Sequence, residues 1–422
     1  MEGRASSPVQ AGGTSAVPPT GLAHRCPPDS GATMSPVRIL ISAGEASGEM
    51  YGAQLIEALR RRDPSLEFFG VGGQRMREAG CDTVVDASDL AVVGITETLS
   101  HLPKIYGLFH NLVDEADKRR PDLAIVIDSP AFNWRVARQM KKRDIPVVYY
   151  VAPQFWAWRQ GRVRLLRKYI TKALVIFPFE EQFYRDRGVD ATFVGHPLAE
   201  LPPPTVTREA YAAQYKLDPT KQWVTIMPGS RVKEVGMNLP TMLDAATLLG
   251  AGFEFLLPVA PTVDRQLLEE RTSGRGIKLV CEALPALYHA RAAIVASGTA
   301  TVEAAMMATP FVMVYRVSAL TYRLGRPRIK VPYFAMVNLI AGERVVPELV
   351  QDDFTPERVV SRLREILSDG TARAAMLEGL ARVKARLRSP NGNDSRPAAE
   401  RAAHAVLQLL RLKDYEPMRE VS

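Results

Sequence analysis

The sequence has few cysteines and no long hydrophobic run. Its 422 residues include three cysteines, Cys26, Cys81 and Cys281. Because they are far apart and odd in number, they exclude a disulfide scaffold and offer no pair at metal-binding spacing. This usage fits a reducing cytoplasm. No run of 18 apolar residues is present, so no segment is expected to span a membrane as a helix.

Several motifs of metal and dinucleotide sites are also missing. The chain has no Asp-x-Asp, HExxH or CxxC, so we expect no catalytic metal and no other cofactor. In "AGEASGE" (43–49), Gly44 and Gly48 do not have GxGxxG spacing, which disfavours a dinucleotide site. The loop is typical either of a tight turn or of a substrate-admitting loop, in which Glu45, Ser47 and Gly48 would be contacts.

The length and composition fit a globular protein of two domains. Hydrophobic residues make up 46% of the chain and the net charge is +8. Residues 1–33 are rich in Gly, Ser, Pro and Ala and have no apolar core of a secretory signal, and Met34 directly precedes the first strand-like segment. We expect 1–33 to be a disordered extension or the product of a misplaced start codon.

Short apolar, β-branched segments alternate with helix-like segments along most of the chain. This alternation predicts an α/β protein with parallel, doubly wound sheets. A proline-rich break at 198–207 predicts a linker between two Rossmann-like domains, residues 34–200 and 201–354, with helices in 355–422. The predicted strands are 37–42, 68–73, 123–128, 147–152, 173–177 and 191–195 before the break, and 223–230, 253–260, 277–282, 292–297 and 311–317 after it.

Polar residues follow one buried strand of the first half. "VIDSPAFN" (126–133) places Asp128 at the tip of a strand. Its carboxylate is either a cap for the next helix or a general base, whose pKa burial would raise. Asn133 is a candidate for orienting a substrate. Ligands of open parallel sheets bind at such strand ends, so the turn is a candidate site.

Two turns of the second half are candidate anion sites. "MPGSR" (227–231) brings Ser230 and Arg231 to a helix start, where N–H groups and a guanidinium suit a diphosphate. Arg231 is equally consistent with an ordinary surface residue. "SGTATVEAAM" (297–306) follows a buried strand. It is either a helix capped by Thr299 or Thr301, or a phosphate site with Glu303 bound to sugar hydroxyls.

A basic segment carries two tryptophans. "PQFWAWRQGRVRLLRK" (153–168) is consistent with an amphipathic surface at a lipid interface, or with a core aromatic pair beside a solvated helix. Nucleic-acid binding is disfavoured because the aromatic residues are confined to one segment. His196, in "GHP", is interpreted as structural.

Ten segments together resemble one family, the lipid-A-disaccharide synthases. They are "AGEASGE", "GVGGQRMREAG", "VVGITETL", "VIDSPAFN", "YYVAPQFWAWRQGRV", "FPFEEQFY", "FVGHPL", "MPGSRVKEV", "ASGTATVEAAM" and "MVNLIAGERVVPELVQ". They occur in the family's order and extend over about residues 37–351.

The resemblance implies a GT-B glycosyltransferase fold, with two Rossmann-like domains facing a cleft. It implies inverting transfer from UDP-2,3-diacylglucosamine to 2,3-diacylglucosamine 1-phosphate (lipid X), which gives a disaccharide 1-phosphate and UDP. The family's functional residues map to Asp128, Arg231, Glu303 and Asn338. The diphosphate would meet N–H groups at Ser230 and at Ser297, Gly298, Thr299 and Ala300.

Two departures from the family pattern bear on the catalytic base. The family's Ser-Gly-Asp is Ser47-Gly48-Glu49 here, and its Pro-Asp-Phe-Asn has Ala131 in place of the aspartate. Alanine cannot transfer a proton, so either Asp128 is the only base in this turn or the base lies elsewhere.

The resemblance also implies partners and a location. It implies a homodimer with exchanged C-terminal segments, and a peripheral position at the anionic cytoplasmic face of an inner membrane. The alternatives are another UDP-sugar enzyme of this fold, such as a UDP-N-acetylglucosamine epimerase or a polyprenol-linked sugar transferase, and a non-catalytic, membrane-associated nucleotide-binding protein.

Overall fold

The computed structural model describes residues 36–91, 98–158, 160–325, 331–388 and 394–414. The predicted extension, 1–33, lies outside these ranges, as do residues 92–97 of the segment "VVGITETL". The side chain of Trp158 and the whole of Arg159 also lie outside the description.

Seven parallel strands form the first sheet. They are β1 (Arg38–Ala43), β2 (Glu67–Gly72), β3 (Cys81–Asp86), β4 (Leu123–Ile127), β5 (Val147–Tyr150), β6 (Lys172–Val175) and β7 (Ala191–Phe193). Their order across the sheet is β3-β2-β1-β4-β5-β6-β7. The strand order reverses between β1 and β4, and ligands of doubly wound sheets bind beyond the strand ends at such a reversal.

In the part of the chain that the structure describes, eight helices surround the first sheet. They are α1 (Ala46–Arg62), α2 (Gln74–Glu78), α3 (Ala87–Ala91), α4 (Thr98–Arg119), α5 (Pro130–Lys142), α6 (Phe155–Trp158), α7 (Val163–Tyr169) and α8 (Pro178–Arg185). The central strands are apolar throughout because helices cover both faces: all five residues of β4 are buried.

Six parallel strands form the second sheet. They are β8 (Gln222–Met227), β9 (Phe253–Pro258), β10 (Ile277–Val280), β11 (Ala292–Ala296), β12 (Phe311–Tyr315) and β13 (Glu348–Val350), in the order β10-β9-β8-β11-β12-β13. This half also contains α9 (Arg208–Tyr215), α10 (Val232–Leu249), α11 (Arg265–Thr272), α12 (Ala283–Tyr288), α13 (Thr299–Met306), α14 (Ala319–Gly325) and α15 (Met336–Ala341). The order reverses between β8 and β11, whose following turns are the two predicted anion sites.

Three helices end the described chain: α16 (Pro356–Leu367), α17 (Thr371–Arg388) and α18 (Ala398–Asp414). Helix α16 packs on α10 and on the second sheet, whereas α18 packs on α1 of the first half. Glu400 of α18 forms ion pairs with Arg61 and Arg62 at 2.6 and 3.0 Å. The chain therefore returns to its first half at the end.

The predicted α/β class with two Rossmann-like sheets is confirmed, but two strands were missed. Both β3 and β13 lie at a sheet edge, where one side of the strand has no neighbour. Their residues are accordingly only partly buried and lack the continuous apolar run on which the strand predictions relied.

Candidate active site

A cleft of about 720 Å³ lies at the carboxyl ends of the first sheet. The first half provides most of its lining, including Ser47, Tyr51 and Asp128, and Thr299 contributes from the second half. The cleft therefore brings together the predicted base and one predicted phosphate-binding turn, which are more than 150 residues apart in the sequence.

Asp128 stands at the end of β4 in an unusual backbone conformation. Asp128 and Ser129 have φ angles of 47° and 46°, a left-handed conformation that costs energy in most residues other than glycine. Surrounding hydrogen bonds hold it there: the Asp128 carbonyl accepts from the Tyr149 hydroxyl at 2.7 Å and from Asn133 Nδ2 at 2.9 Å. Strain held by neighbours in this way is typical of functional sites.

The Asp128 carboxyl is tuned towards neutral pH. Burial raises its pKa from 3.8 to about 6, and the nearby Glu45 carboxylate adds to the increase. A backbone hydrogen bond at Ser129 and the positive charge of Arg231 act in the opposite direction. A carboxylate with this pKa is ionised at pH 7 yet basic enough to accept a proton from an alcohol as its C–O bond forms.

The Asn133 side chain stabilises the Asp128 turn through hydrogen bonds. It is fully buried, and its Oδ1 accepts from Ser42 Oγ at 2.7 Å while its Nδ2 donates to the carbonyls of Ile127 and Asp128 at 2.8 and 2.9 Å. The prediction that Asn133 contacts substrate is therefore wrong in this structure. The amide instead links β1, β4 and the Asp128 turn.

The residues of the loop after β1 lie in different environments, some at the cleft and others away from it. Ser47 lines the cleft, and the exposed Glu45 precedes α1 and acts on Asp128 through its charge. Gly48 is buried against β4, where an added Cβ would lie 3.6 Å from the Ile127 carbonyl oxygen. Glu49 faces away, because its Oε1 accepts the Arg75 N–H at 2.8 Å.

In the turn after β8, the Glu234 side chain of helix α10 accepts hydrogen bonds from the turn itself. Glu234 accepts from the Ser230 N–H at 3.2 Å and from Arg231 Nη1 at 3.0 Å. The Ser230 N–H is thus not free for phosphate in this structure, contrary to the prediction. The Arg231 side chain is 75% exposed, and its positive charge acts on the Asp128 carboxyl, so its predicted role in the cleft stays a prediction.

The turn after β11 leaves the start of α13 without a side-chain cap. Gly298 precedes the helix with φ 139°, and no side chain of the described residues caps it. Thr301 Oγ1 donates to the Gly298 carbonyl instead, and Thr299 already lies in the helix, so the predicted threonine cap is wrong. The uncapped N-terminus of α13 is open to an anion.

Ser297 plays a different part from the small residues after it. Its N–H donates to the Val314 carbonyl at 2.9 Å and its Oγ donates to the Phe334 carbonyl at 2.9 Å. The predicted phosphate contact through the Ser297 N–H is therefore wrong here. The remaining predicted contacts to the phosphate are the N–H groups of Gly298, Thr299 and Ala300.

Glu303 is one turn into α13. Burial raises the pKa of its carboxyl, and its charge acts on the phenol of Tyr51 together with that of Asp128. No hydrogen bond or ion pair to this carboxylate is found among the residues that the structure describes. Its oxygens are therefore available to a ligand, as the predicted role in binding sugar hydroxyls requires.

Asn338 is not at the surface of the cleft. It is fully buried, its Oδ1 accepts the N–H groups of Val345 and Val346, and its Nδ2 donates to Glu348 Oε1 at 2.9 Å. The predicted ligand contact is wrong in this structure. Asn338 closes the turn between α15 and β13.

Trp156 belongs to the core rather than to a lipid-facing surface. It is 4% exposed, and its Nε1 donates to Glu180 Oε1 at 2.8 Å. Glu180 is buried and also accepts the N–H groups of Ile176 and Phe177, and burial raises its pKa to about 7. Of the two interpretations, the core aromatic is confirmed for this residue.

His196 is structural, as predicted. It is buried beside the cleft, its Nδ1 accepts the Leu198 N–H at 3.2 Å, and burial lowers its pKa to about 3, so the ring is neutral. Among the described residues, no group of three or more His, Cys, Asp or Glu side chains is placed to hold a metal.

Sequence reasoning missed several residues of the cleft. Tyr51 lies between the charges of Asp128 and Glu303, and Trp134, Arg135 and Arg138 of α5 line the wall. Tyr51 follows the noted loop by two residues. The three α5 residues lie one, two and five positions after Asn133, and their helical spacing was the sequence signal that could have placed them on one side of the helix.

The two facing sheets and the cleft at their strand ends define a GT-B-type α/β protein. The structure is similar to the calicheamicin glycosyltransferase CalG4, with a TM-score of 0.57 and 16% identity over 91% of this chain and 100% of that one. It is also similar to the UDP-GlcNAc 2-epimerase of Neisseria meningitidis, with a TM-score of 0.61 and 12% identity over 88% and 100% of the two chains. At these identities the likeness shows the fold alone.

The sequence relatives are more specific. Residues 39–400 match the family model for lipid-A-disaccharide synthetase. The lipid-A-disaccharide synthase of Koribacter versatilis is 54% identical over 90% of this chain and 100% of its own length, and that of Myxococcus xanthus is 44% identical over 89% and 98%. The chain belongs to the lipid-A-disaccharide synthetase family, and it is a glycosyltransferase. Within the described residues, no helix is long and apolar enough to cross a membrane.

Proposed function

We propose that this protein transfers 2,3-diacylglucosamine from its UDP derivative to lipid X. The observation that carries the proposal is one cleft that contains both Asp128 and the uncapped start of α13. The family model and the named relatives support this choice of substrates over the epimerase and carrier-linked alternatives. The products are the β-1,6-linked disaccharide 1-phosphate and UDP.

In the proposed reaction, the primary hydroxyl of the acceptor attacks the anomeric carbon of the donor. Asp128 accepts the hydroxyl proton, and the bond from the anomeric carbon to the UDP oxygen breaks on the opposite face, so the configuration inverts. Burial keeps the pKa of Asp128 at about 6, which suits this proton transfer. Ala131 has no titratable group, so the base of this turn is Asp128.

The negative charge of the departing UDP needs electrostatic stabilisation. Arg231 supplies a guanidinium, and the N–H groups of Gly298, Thr299 and Ala300 supply the positive end of α13. The Ser230 N–H joins them if the diphosphate displaces Glu234. Glu303, whose carboxylate has no partner among the described residues, accepts hydrogen bonds from the ribose hydroxyls.

Turnover of the purified chain tests this assignment. The assay uses UDP-2,3-diacylglucosamine and lipid X in detergent with EDTA present, and we expect disaccharide 1-phosphate and UDP in equal amounts. Asp128→Asn is expected to lower kcat by at least about 100-fold while UDP binding, measured by calorimetry, is retained. Folded, UDP-binding wild-type protein that forms no disaccharide contradicts the proposal.

The matched control is Asp144→Asn. Asp144 is also a left-handed aspartate, with φ 54°, but it lies beyond the other end of α5 and is exposed. We expect this variant to keep wild-type turnover. A comparable loss in both variants would show that removal of a left-handed aspartate, rather than of the base, lowers the rate.

We also propose a peripheral position on the anionic cytoplasmic face of the inner membrane. Arg164, Arg167 and Lys168 are exposed on α7, next to the mouth of the cleft, and cations favour anionic lipid surfaces. Sedimentation with vesicles that contain phosphatidylglycerol, compared with phosphatidylcholine alone, tests this position. The homodimer that the family resemblance implies stays a prediction, which sedimentation equilibrium tests.

A further inference from the structure

Three arginines line the first-half wall of the cleft. Arg135 and Arg138 lie on α5 three positions apart and therefore share a face of the helix, and Arg162 ends the 3₁₀ turn Gln160–Arg162 that precedes α7. All three line the same cleft as Asp128. These arginines belong to the first half, whereas the proposed diphosphate site is formed by residues of the second half.

The charges of these arginines are largely unpaired. Within the described ranges, neither Arg138 nor Arg162 forms a hydrogen bond or an ion pair. Arg135 uses Nη1 to donate to the Ala131 carbonyl at 2.6 Å and keeps its remaining donors. By contrast Arg143, which directly follows the same helix, forms a 2.6 Å ion pair with Asp117. The N–H donors of these arginines that have no partner among the described residues are therefore available to bind an anion.

Aromatic and apolar side chains lie beside these exposed arginines in the cleft lining. The rings of Trp134 and Tyr169 meet edge to face with centroids 5.7 Å apart and join α5 to α7. Both residues and Leu165 line the cleft. The three arginines are exposed, so water screens their charges, and the apolar neighbours strengthen the attraction to a phosphate on the side that faces the cleft wall.

We propose that Arg135, Arg138 and Arg162 form a subsite for the phosphate monoester of the acceptor. This proposal rests on the proposed function, because that function supplies an acceptor with a sugar 1-phosphate. The two anionic groups of the reaction then bind to opposite halves: the diphosphate of the donor to Arg231 and α13, and the monoester of the acceptor to the α5 wall. Asp128 lies between them.

This division gives the arginine wall a role in specificity. A guanidinium binds a phosphate dianion through two parallel N–H bonds, which fixes orientation as well as position. An acceptor anchored at its 1-phosphate can present its far end, which carries the primary hydroxyl, to Asp128. The wall would therefore select phosphorylated over unphosphorylated acceptors.

The test compares lipid X with 2,3-diacylglucosamine that lacks the phosphate. In Arg138→Gln and Arg162→Gln, we expect the KM for lipid X to increase by about 10-fold to 100-fold, since a hydrogen bond to a charged group is lost. The KM for the UDP-sugar is expected to stay unchanged, and so is the rate with the unphosphorylated acceptor. Arg143→Gln, which removes an arginine directly after α5 and outside the cleft lining, is the matched control and keeps wild-type values.

Binding of the two acceptors in detergent, measured by calorimetry, gives a readout that does not need turnover. We expect the wild type to prefer lipid X and the double variant R138Q/R162Q to lose that preference. An unchanged preference in the double variant overturns the subsite. So does an equal loss of affinity for both acceptors, which indicates a structural role. Arginine-dependent binding without transfer would instead refute the proposed function and leave the subsite standing.

Discussion

Below pH 7, transfer by this protein is expected to follow the ionised fraction of Asp128. Burial and the charge of Glu45 raise the pKa of this carboxyl from 3.8 to about 6. If the ionised form is the base, about half of the maximal kcat/KM remains at pH 6 and about a tenth at pH 5. A carboxyl that kept its ordinary pKa would still be more than about 90% ionised at pH 5.

The same shift has a consequence for stability, with a defined sign. The folded protein binds the Asp128 proton more tightly than the unfolded chain, so the stabilisation from this group is present below about pH 4 and is lost as the pH rises through about 6. A shift of about two pH units corresponds to about 3 kcal/mol. Asp128→Asn removes this loss, so the variant is expected to be up to about 3 kcal/mol more stable than wild type at pH 8.

Two assays check these values. A profile of kcat/KM from pH 4.5 to 8.5, with UDP release as the readout, locates the acidic limb. Glu45→Gln removes a like charge and is expected to move this limb to lower pH. Urea unfolding at pH 8 and pH 4.5 compares Asp128→Asn with wild type. Full wild-type activity at pH 5, or an Asn variant that is no more stable at pH 8, would refute the reasoning about Asp128.

Three further predictions concern other buried polar groups. Glu303→Gln is expected to weaken UDP binding about 10-fold or more by calorimetry, since the amide accepts fewer hydrogen bonds from the ribose; unchanged affinity would remove Glu303 from the site. Asn133→Ala is expected to destabilise the fold by about 2–4 kcal/mol in urea, because buried carbonyls lose their donor. If unfolding is unaffected, the link to Asp128 is unimportant. Burial raises the pKa of Glu180 to about 7, so wild-type stability falls between about pH 4.5 and 7. Glu180→Gln should reduce this decline in melting temperature and leave the part that Asp128 contributes, and a variant with the wild-type pH dependence would contradict it.

Periodicity alone predicted the two sheets but not which polar residues face the cleft. Asp128 was found because the chain leaves a wholly buried strand at that residue, and a strand end at the sheet reversal is a geometric position that sequence can locate. The same turn also contains Asn133, which is of a suitable residue type and close in sequence. The first turn of α5 places it inward, so a helical rotation decides between substrate contact and buried support.

The errors in the second half have a different origin. Asn338 was assigned to a ligand from its residue type, but Glu348 already accepts from its amide. The Ser230 N–H likewise donates to Glu234, which a diphosphate would have to displace. Such pairings depend on side-chain conformation and on tertiary contacts that periodicity does not encode. The arginines of α5 escaped notice for the opposite reason. Among the described residues, the Arg138 side chain has no partner and Arg135 keeps donors beyond its bond to Ala131, which is visible only once the fold is known.

The return of α18 to the first half has a mechanical consequence. The two halves are connected through 201–206, and α18 lies on the first half although α17 before it packs on the second. At the end of α17, Leu387 and Arg388 contact His196 and Ala199. With two neighbouring connections between the halves, we expect any opening of the cleft to be a rotation about the line that joins them, rather than a sliding or twisting of one half against the other. Removal of α18 would leave 201–206 as the remaining connection between the halves, and we expect the position of Asp128 relative to α13 to become less well defined.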